Sequence, residues 1–200
     1  QMKSWMVTYN IATDEELGGA EMHTRTSGVA EYIAESDADA IRVARDILAR
    51  MPWNDSLPAL AARGWKLPRH TAEDIAGLVP PDYRQPYDVR ELLARLIDDS
   101  DFLDFKPEFG AATVCGHGAI EGQPCGFIGN NGPIDPQGAN KATQFMQLCN
   151  QSGTPLVYLQ NTTGFMVGTQ YEQNGMIKDG SKMINAVTNS KVPHLTINLA

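Results

Sequence analysis

An α/β fold with a partly parallel sheet is the class this chain predicts, and three observations carry it. From Ala112 onward, apolar runs of strand length alternate with amphipathic stretches of helix length, in the order β-β-β-α-β-loop-α-β. A strand followed by a helix and a second strand pairs in parallel with that second strand. Eighteen glycines and twelve prolines suit a turn-rich chain better than a helical bundle. No apolar run approaches the roughly 20 residues that a membrane-spanning helix needs. At 200 residues the chain holds one ordinary domain or two small ones and can bury a core unaided by disulfides or metal.

The elements follow in order. Residues 1–35 carry scattered turn signals, with Val29–Ala34 as one short strand. A clear helix comes next. Ser36 is its N-cap, since the hydroxyl can accept an orphan N–H of the first turn. Asp37 and Asp39 complement the positive end of the helix dipole. Ala40, Val43, Ala44, Ile47, Leu48 and Met51 recur on one face, and Pro52 ends the helix. Residues 52–87 read as a linker: six prolines fall there, and only Thr71–Leu78 has the pattern of a short helix.

At Asp88 a second unit begins. Asp88 and Glu91 have capping-box spacing, and Val89, Leu92, Leu93, Leu96 and Ile97 form the inward face. Strands are expected at Ala112–Cys115, Gly118–Ile120 and Cys125–Gly129, the last two joined by a turn at Glu121-Gly122. A helix covers roughly 137–151 and stops at Gly153. Pro155–Gln160 is a buried strand, and 161–168 a Thr- and Gly-rich loop. A further helix spans about 175–189 with Met176, Ile177, Met183, Ile184 and Val187 inward, and His194–Leu199 is a strand.

Charge and motifs exclude several functions. Sixteen basic against 24 acidic side chains give a net charge of −8, so a nucleic-acid or anionic-membrane partner is not expected. The three cysteines read as reduced core thiols in a reducing compartment. Cys115-Gly116-His117 has no zinc-ligand spacing, so no metal site is predicted. The acidic clusters at 14–16 and 98–101 read as solvated helix ends. No phosphate-cradling Gly-x4-Gly-Lys word, dinucleotide fingerprint or Gly-x-Ser-x-Gly elbow occurs. The informative stretch is Leu159-Gln160-Asn161-Thr162-Thr163-Gly164-Phe165-Met166-Val167-Gly168. A buried strand ends there, and two glycines four apart let main-chain N–H groups face a ligand or merely shape the turn.

That stretch, with Tyr87-Asp88-Val89-Arg90-Glu91, Phe105-Lys106-Pro107-Glu108-Phe109-Gly110, Gly129-Asn130-Asn131-Gly132, Gln147-Leu148-Cys149-Asn150 and Lys178-Asp179-Gly180-Ser181-Lys182-Met183, resembles the carboxyltransferase β subunits of biotin-dependent acyl-CoA carboxylases. Asp88–Ala200 resembles the start of their C-terminal domain, and words at 16–20 and 27–30 resemble the end of their N-terminal one. The form of the 161–168 loop is similar to the methylcrotonyl-CoA and geranyl-CoA carboxylase branch, with a lean to geranyl-CoA.

The resemblance implies a crotonase-like spiral of β-β-α units, incomplete at both ends of this chain. It divides the chain into 1–51, a linker 52–87, and 88–200. It implies transfer of a carboxyl group from carboxybiotin to an unsaturated branched acyl-CoA. The biotin is carried by a separate α subunit and none is bound covalently here. The β subunits would form a homo-oligomer, a hexamer in the family, in bacterial cytoplasm or the mitochondrial matrix. Acyl-CoA-binding positions implied are Asn130, Asn131, Gly132 and Lys141, the last offering charge to a CoA phosphate. The biotin-side loop implied is Thr163, Gly164, Phe165, Met166, Val167 and Gly168. The family's two oxyanion loops would lie before Gln1 and after Ala200, so no catalytic side chain is assigned and the isolated chain is expected to be inactive. A CoA-ester decarboxylase subunit on the same fold, or an inert assembly fragment, are the alternatives.

Overall fold

The computed structural model describes residues 12–51, 64–80, 82, 85, 87–161 and 163–199. Part of the predicted linker, and the loop residue Thr162, therefore lie outside the described residues. The elements are α1 (Asp14–Gly18), α2 (Asp37–Ala49), α3 (Val89–Leu96), β1 (Leu103–Asp104), β2 (Thr113–Ile120), β3 (Gln123–Asn130), α4 (Pro136–Ser152), β4 (Leu156–Gln160), α5 (Thr169–Gln173), α6 (Met176–Asn189) and β5 (His194–Asn198). A π-helical turn, Met22–Thr26, follows α1, and a 3-10 turn, Ala72–Gly77, precedes α3.

The five strands form one sheet in chain order. β1, β2 and β3 pair antiparallel, while β3–β4 and β4–β5 are parallel. β-Pairing thus switches where the crossover helices begin, because a parallel neighbour needs a long return and a hairpin does not. Alternation along the strands divides the core between the faces of the sheet. Val114, Phe127, Val157 and Leu159 meet Val89, Leu92, Leu93 and Ile97 of the α3 segment on one face. Cys115, Ile128 and Leu156 meet Ala142, Phe145, Met146 and Cys149 of α4 on the other. Phe145 and Met146 are 0% and 1% exposed, and burying each stabilises the fold by about 2–3 kcal/mol.

Local signals placed most boundaries. Ser36 accepts from Asp39 N at 3.2 Å and caps α2, and Gly153 closes α4 in the left-handed conformation. Asp88 caps α3, but by accepting from Arg90 N, while Glu91 turns to Arg95 instead of completing a capping box. The strands predicted separately at 112–115 and 118–120 are one eight-residue strand. His117 sustains the ladder between them by pairing with Gly126. Val29–Ala34 is not a strand. Gly28 turns at φ +66 and Ala30 N bonds back to His23 O, which takes the segment out of extended pairing.

Two amphipathic faces are not buried. α2 has no buried residue, with Ile41 and Leu48 exposed. On α6, Met176 is buried, but Ile177 and Ile184 are 77% and 57% exposed, not inward as their spacing suggested. The chain before α2 is tied to the rest by side chains. Lys106 Nζ donates to Gly28 O, Arg25 pairs with Glu108 at 2.5 Å, and Gln144 bonds Glu31 at 3.2 Å. Among the described residues no helix is long and apolar enough to cross a membrane.

Candidate functional site

β3 and β4 are parallel neighbours, so their carboxyl ends, Asn130 and Gln160, lie side by side. In open α/β sheets the loops leaving adjacent carboxyl ends form the usual binding crevice. After β3 the chain turns through 131–135 into α4, whose N-cap Asp135 accepts from Gly138 N at 2.6 Å. After β4 it runs through 161–168 into α5.

These two connections are stitched together. Ile134 N donates to Gly164 O and Met166 N to Ile134 O, both at 2.9 Å. Asn130 ties the bases of the two loops. Its Nδ2 donates to Gly132 O at 2.9 Å, Asn161 O at 3.1 Å and Thr163 Oγ1 at 2.9 Å. Its Oδ1 accepts from Asn161 N at 3.0 Å. A buried amide used on both its donor and acceptor sides fixes the separation of what it joins. Asn130, Gly132, Thr163, Gly164, Phe165 and Met166 are therefore brought into one unit.

The upper part of that unit is open. Val167 is 84% exposed and Phe165 37%, so neither is core. Gly164 adopts φ +70 and Gly168 φ +149, backbone that L side chains resist. Among the described residues the N–H groups of Gly164 and Gly168 have no partner. Residues 163–168 include no titratable side chain. The loop thus presents main-chain donors beside apolar groups, a surface that can hold an uncharged polar ring or a developing oxyanion but cannot itself move protons.

Asn131 and Lys141 lie differently. Asn131 faces α3: its Oδ1 accepts from Val89 N at 2.8 Å, and its Nδ2 donates to Asp88 at 3.0 Å. Lys141 is 0% exposed, enclosed between α4 and the sheet, with no hydrogen-bond partner for Nζ among the described residues. Burial lowers its pKa, opposed by Cys115 and Asp104. An enclosed ammonium is not poised to meet a phosphate arriving from solvent.

The side chains that sequence reasoning missed are Arg90 and Asp104. Arg90 Nε and Nη2 reach Asp104 Oδ2 at 2.6 and 2.5 Å. Burial raises the Asp104 carboxyl, and Arg90 opposes it. For Asp88, hydrogen bonds from Arg90 N and Asn131 outweigh burial and lower the pKa. The Tyr-Asp-Val-Arg-Glu word contained the signal, but it reads equally well as an ordinary helix start. A separate cavity of about 410 Å³, lined by Gly28, Lys106, Phe109, Gln144 and Lys182 among others, shares no residue with the two loops.

Comparison with known proteins gives a consistent picture. The carboxyl transferase domain family matches residues 2–200. A probable biotin-dependent acyl-coenzyme A carboxylase beta2 subunit from Mycobacterium tuberculosis is 49% identical over 96% of this chain and 36% of its own length. The mitochondrial methylcrotonoyl-CoA carboxylase beta chain of Dictyostelium discoideum is 44% identical over 95% of this chain and 32% of its own. Among solved structures, the P. aeruginosa geranyl-CoA carboxylase beta subunit is 61% identical with TM-score 0.65, covering 92% of this chain and 35% of that one. The transcarboxylase 12S hexamer core, with methylmalonyl-coenzyme A bound, superposes at TM-score 0.88 and 29% identity, covering 98% and 39%. The chain spans about a third of the length of these relatives, and its fold is the crotonase-like one of carboxyltransferase chains.

Proposed function

The chain belongs to the carboxyl transferase domain family, and on that premise we propose that it forms part of the carboxyltransferase subunit of a biotin-dependent acyl-CoA carboxylase. The observation that carries this is the joined pair of loops at the carboxyl ends of β3 and β4. The substrate we propose is an unsaturated branched acyl-CoA. The 61% identity to a geranyl-CoA carboxylase subunit, against 44% to a methylcrotonoyl-CoA chain, favours geranyl-CoA. Residues 1–51 then end one carboxyltransferase domain, and 88–200 begin the next. The working assembly is an oligomer of β subunits served by a biotin-carrying partner, in bacterial cytoplasm or the mitochondrial matrix. Relatives from a bacterium and from mitochondria support that placement.

Carboxybiotin, when bound, supplies the carboxyl group and, on releasing it, a basic ureido nitrogen. The residues here fit such a group because they are neutral. Gly164 and Gly168 offer main-chain N–H groups to a ureido or thioester oxygen. Phe165 and Val167 would give the ring an apolar surface. Asn130 holds this loop and the Gly132 turn at a fixed separation, so that groups bound at the two would be kept in one mutual orientation. Fixed donors and fixed approach supply rate without a side-chain base.

The test is ATP-dependent fixation of labelled bicarbonate by the full-length β subunit with its biotin-carrying partner. Geranyl-CoA and 3-methylcrotonyl-CoA are compared at matched concentrations. The expected result is higher kcat/KM with geranyl-CoA; carboxylation of neither ester would overturn the proposal.

A further inference from the structure

The start of α3 is seated against the end of β3 and held there by a continuous run of hydrogen bonds. A Cβ at Gly129 would lie 2.9 Å from Val89 Cγ2, so the first turn of α3 touches the strand just before Asn130. Val89 opens α3, so its N–H has no carbonyl to meet within the helix. Asn131 Oδ1 takes that N–H at 2.8 Å, and Asn131 Nδ2 donates to Asp88 Oδ1 at 3.0 Å. Asp88 Oδ1 also accepts from Arg90 N at 3.0 Å and from Arg90 Nη1 at 3.3 Å. The other nitrogens of the same guanidinium, Nε and Nη2, reach Asp104 Oδ2 on β1 at 2.6 and 2.5 Å. Arg90 thus bridges the cap of α3 to β1. On its other side, Asn131 N donates to Ala112 O, just before β2, at 2.8 Å.

Both polar ends of the Asn131 side chain are spent on the α3 segment, so this side chain places the turn rather than reaching outward. Asn131 follows Asn130, whose amide joins the two loops. Whatever fixes Asn131 therefore fixes the start of the first loop. The Arg90–Asp104 contact is partly buried, and a planar guanidinium can meet two carboxylates at once. Without that bridge, Asp88 is free to leave Asn131 for water. We infer that Arg90 is a positioning residue: braced on Asp104, it holds Asp88 against Asn131 and so keeps the 130–132 turn in place without touching substrate. What the turn is for rests on the proposed function; the hydrogen-bonded run does not.

The test uses the full-length β subunit assembled with its biotin-carrying partner, as wild type, Arg90→Lys, Asn131→Ala and the double variant. Lysine keeps the charge but, as a single ammonium, cannot bridge two carboxylates. Arg90→Lys should speed amide hydrogen exchange at Val89 and Asn131 on the order of tenfold while leaving Val157 and Leu159 unchanged. It should also raise KM for the ester turned over, geranyl-CoA or 3-methylcrotonyl-CoA, by a similar factor with kcat little altered. Because both substitutions cut one path, the double variant should be no worse than Asn131→Ala alone. Unchanged exchange at Val89 and Asn131, exchange sped equally at Val157 and Leu159, or single effects that simply add would overturn the link. So would faster exchange at Val89 and Asn131 with KM unmoved, since the turn would then be held for stability alone. The exchange measurement needs no turnover, so failure of the carboxylase reading and failure of this link are separately visible.

Discussion

Asn130 and His117 show how much a single side chain carries here. Leucine at position 130 would match the size of asparagine but leave Gly132 O, Asn161 N and O, and Thr163 Oγ1 without their partner. Unmet buried polar groups cost about 1–3 kcal/mol each, and neighbouring ones partly relax together. Asn130→Leu is therefore expected to lower stability by about 3 kcal/mol in urea unfolding. His117 lies on β2 with its ring 4.9 Å from that of Phe145. Burial, aided by Arg50, lowers its pKa to about 4. The unfolded imidazole titrates near 6.5, so between pH 6.5 and 4 the unfolded chain binds a proton that the folded chain refuses. The stability held above about pH 6.5 is lost as pH falls through this window. His117→Gln should flatten that loss by about 2 kcal/mol, read from urea midpoints at pH 7 and pH 4.5.

Among the elements, α4 is the most closely fitted. Its N-cap Asp135 and its Gly138, pressed on Thr113, set how near the helix comes to β2. Gly138→Ala must push the helix outward and is expected to cost about 2–3 kcal/mol. Asp135→Ala removes one cap hydrogen bond and should cost about 1 kcal/mol, with both values read from urea melts. Helix packing also sets thiol reactivity. Cys115 and Cys149 are buried, and desolvation pushes both thiols up to about 12. Cys125 is only half-buried. Iodoacetamide should label Cys125 first in the native chain, and the other two only on unfolding; early labelling of Cys149 would contradict the α4 packing.

Over the whole molecule, apolar surface is distributed unevenly. Ile177, Ile184, Leu195 and Ile197 are exposed, and β5 is the last strand of the sheet among the described residues. An open strand edge beside apolar side chains invites association. The 200-residue chain by itself is expected to elute above its 21.8 kDa monomer mass, and Ile184→Lys with Leu195→Lys to shift it toward monomer. Light scattering on both forms decides.

Several features were settled by short stretches of sequence. The start of α2 and the end of α4 follow from Ser36 and Gly153, because a cap acts within one helical turn. The places of β3 and β4 were legible because a strand-length apolar run between turn residues is a local signal, and long words such as 159–168 carried the family. What the tertiary structure decided is which of those groups meet. Asn130 and Asn161 are 31 positions apart, and only the parallel pairing of β3 with β4 makes them partners. Periodicity marked apolar faces on α2 and α6 but not their burial, which depends on what else packs there. Lys141 reads in sequence as an ordinary helix lysine. Its enclosure follows from the close seat of α4 on β2, and a charge removed from water must answer to neighbours brought from elsewhere in the chain.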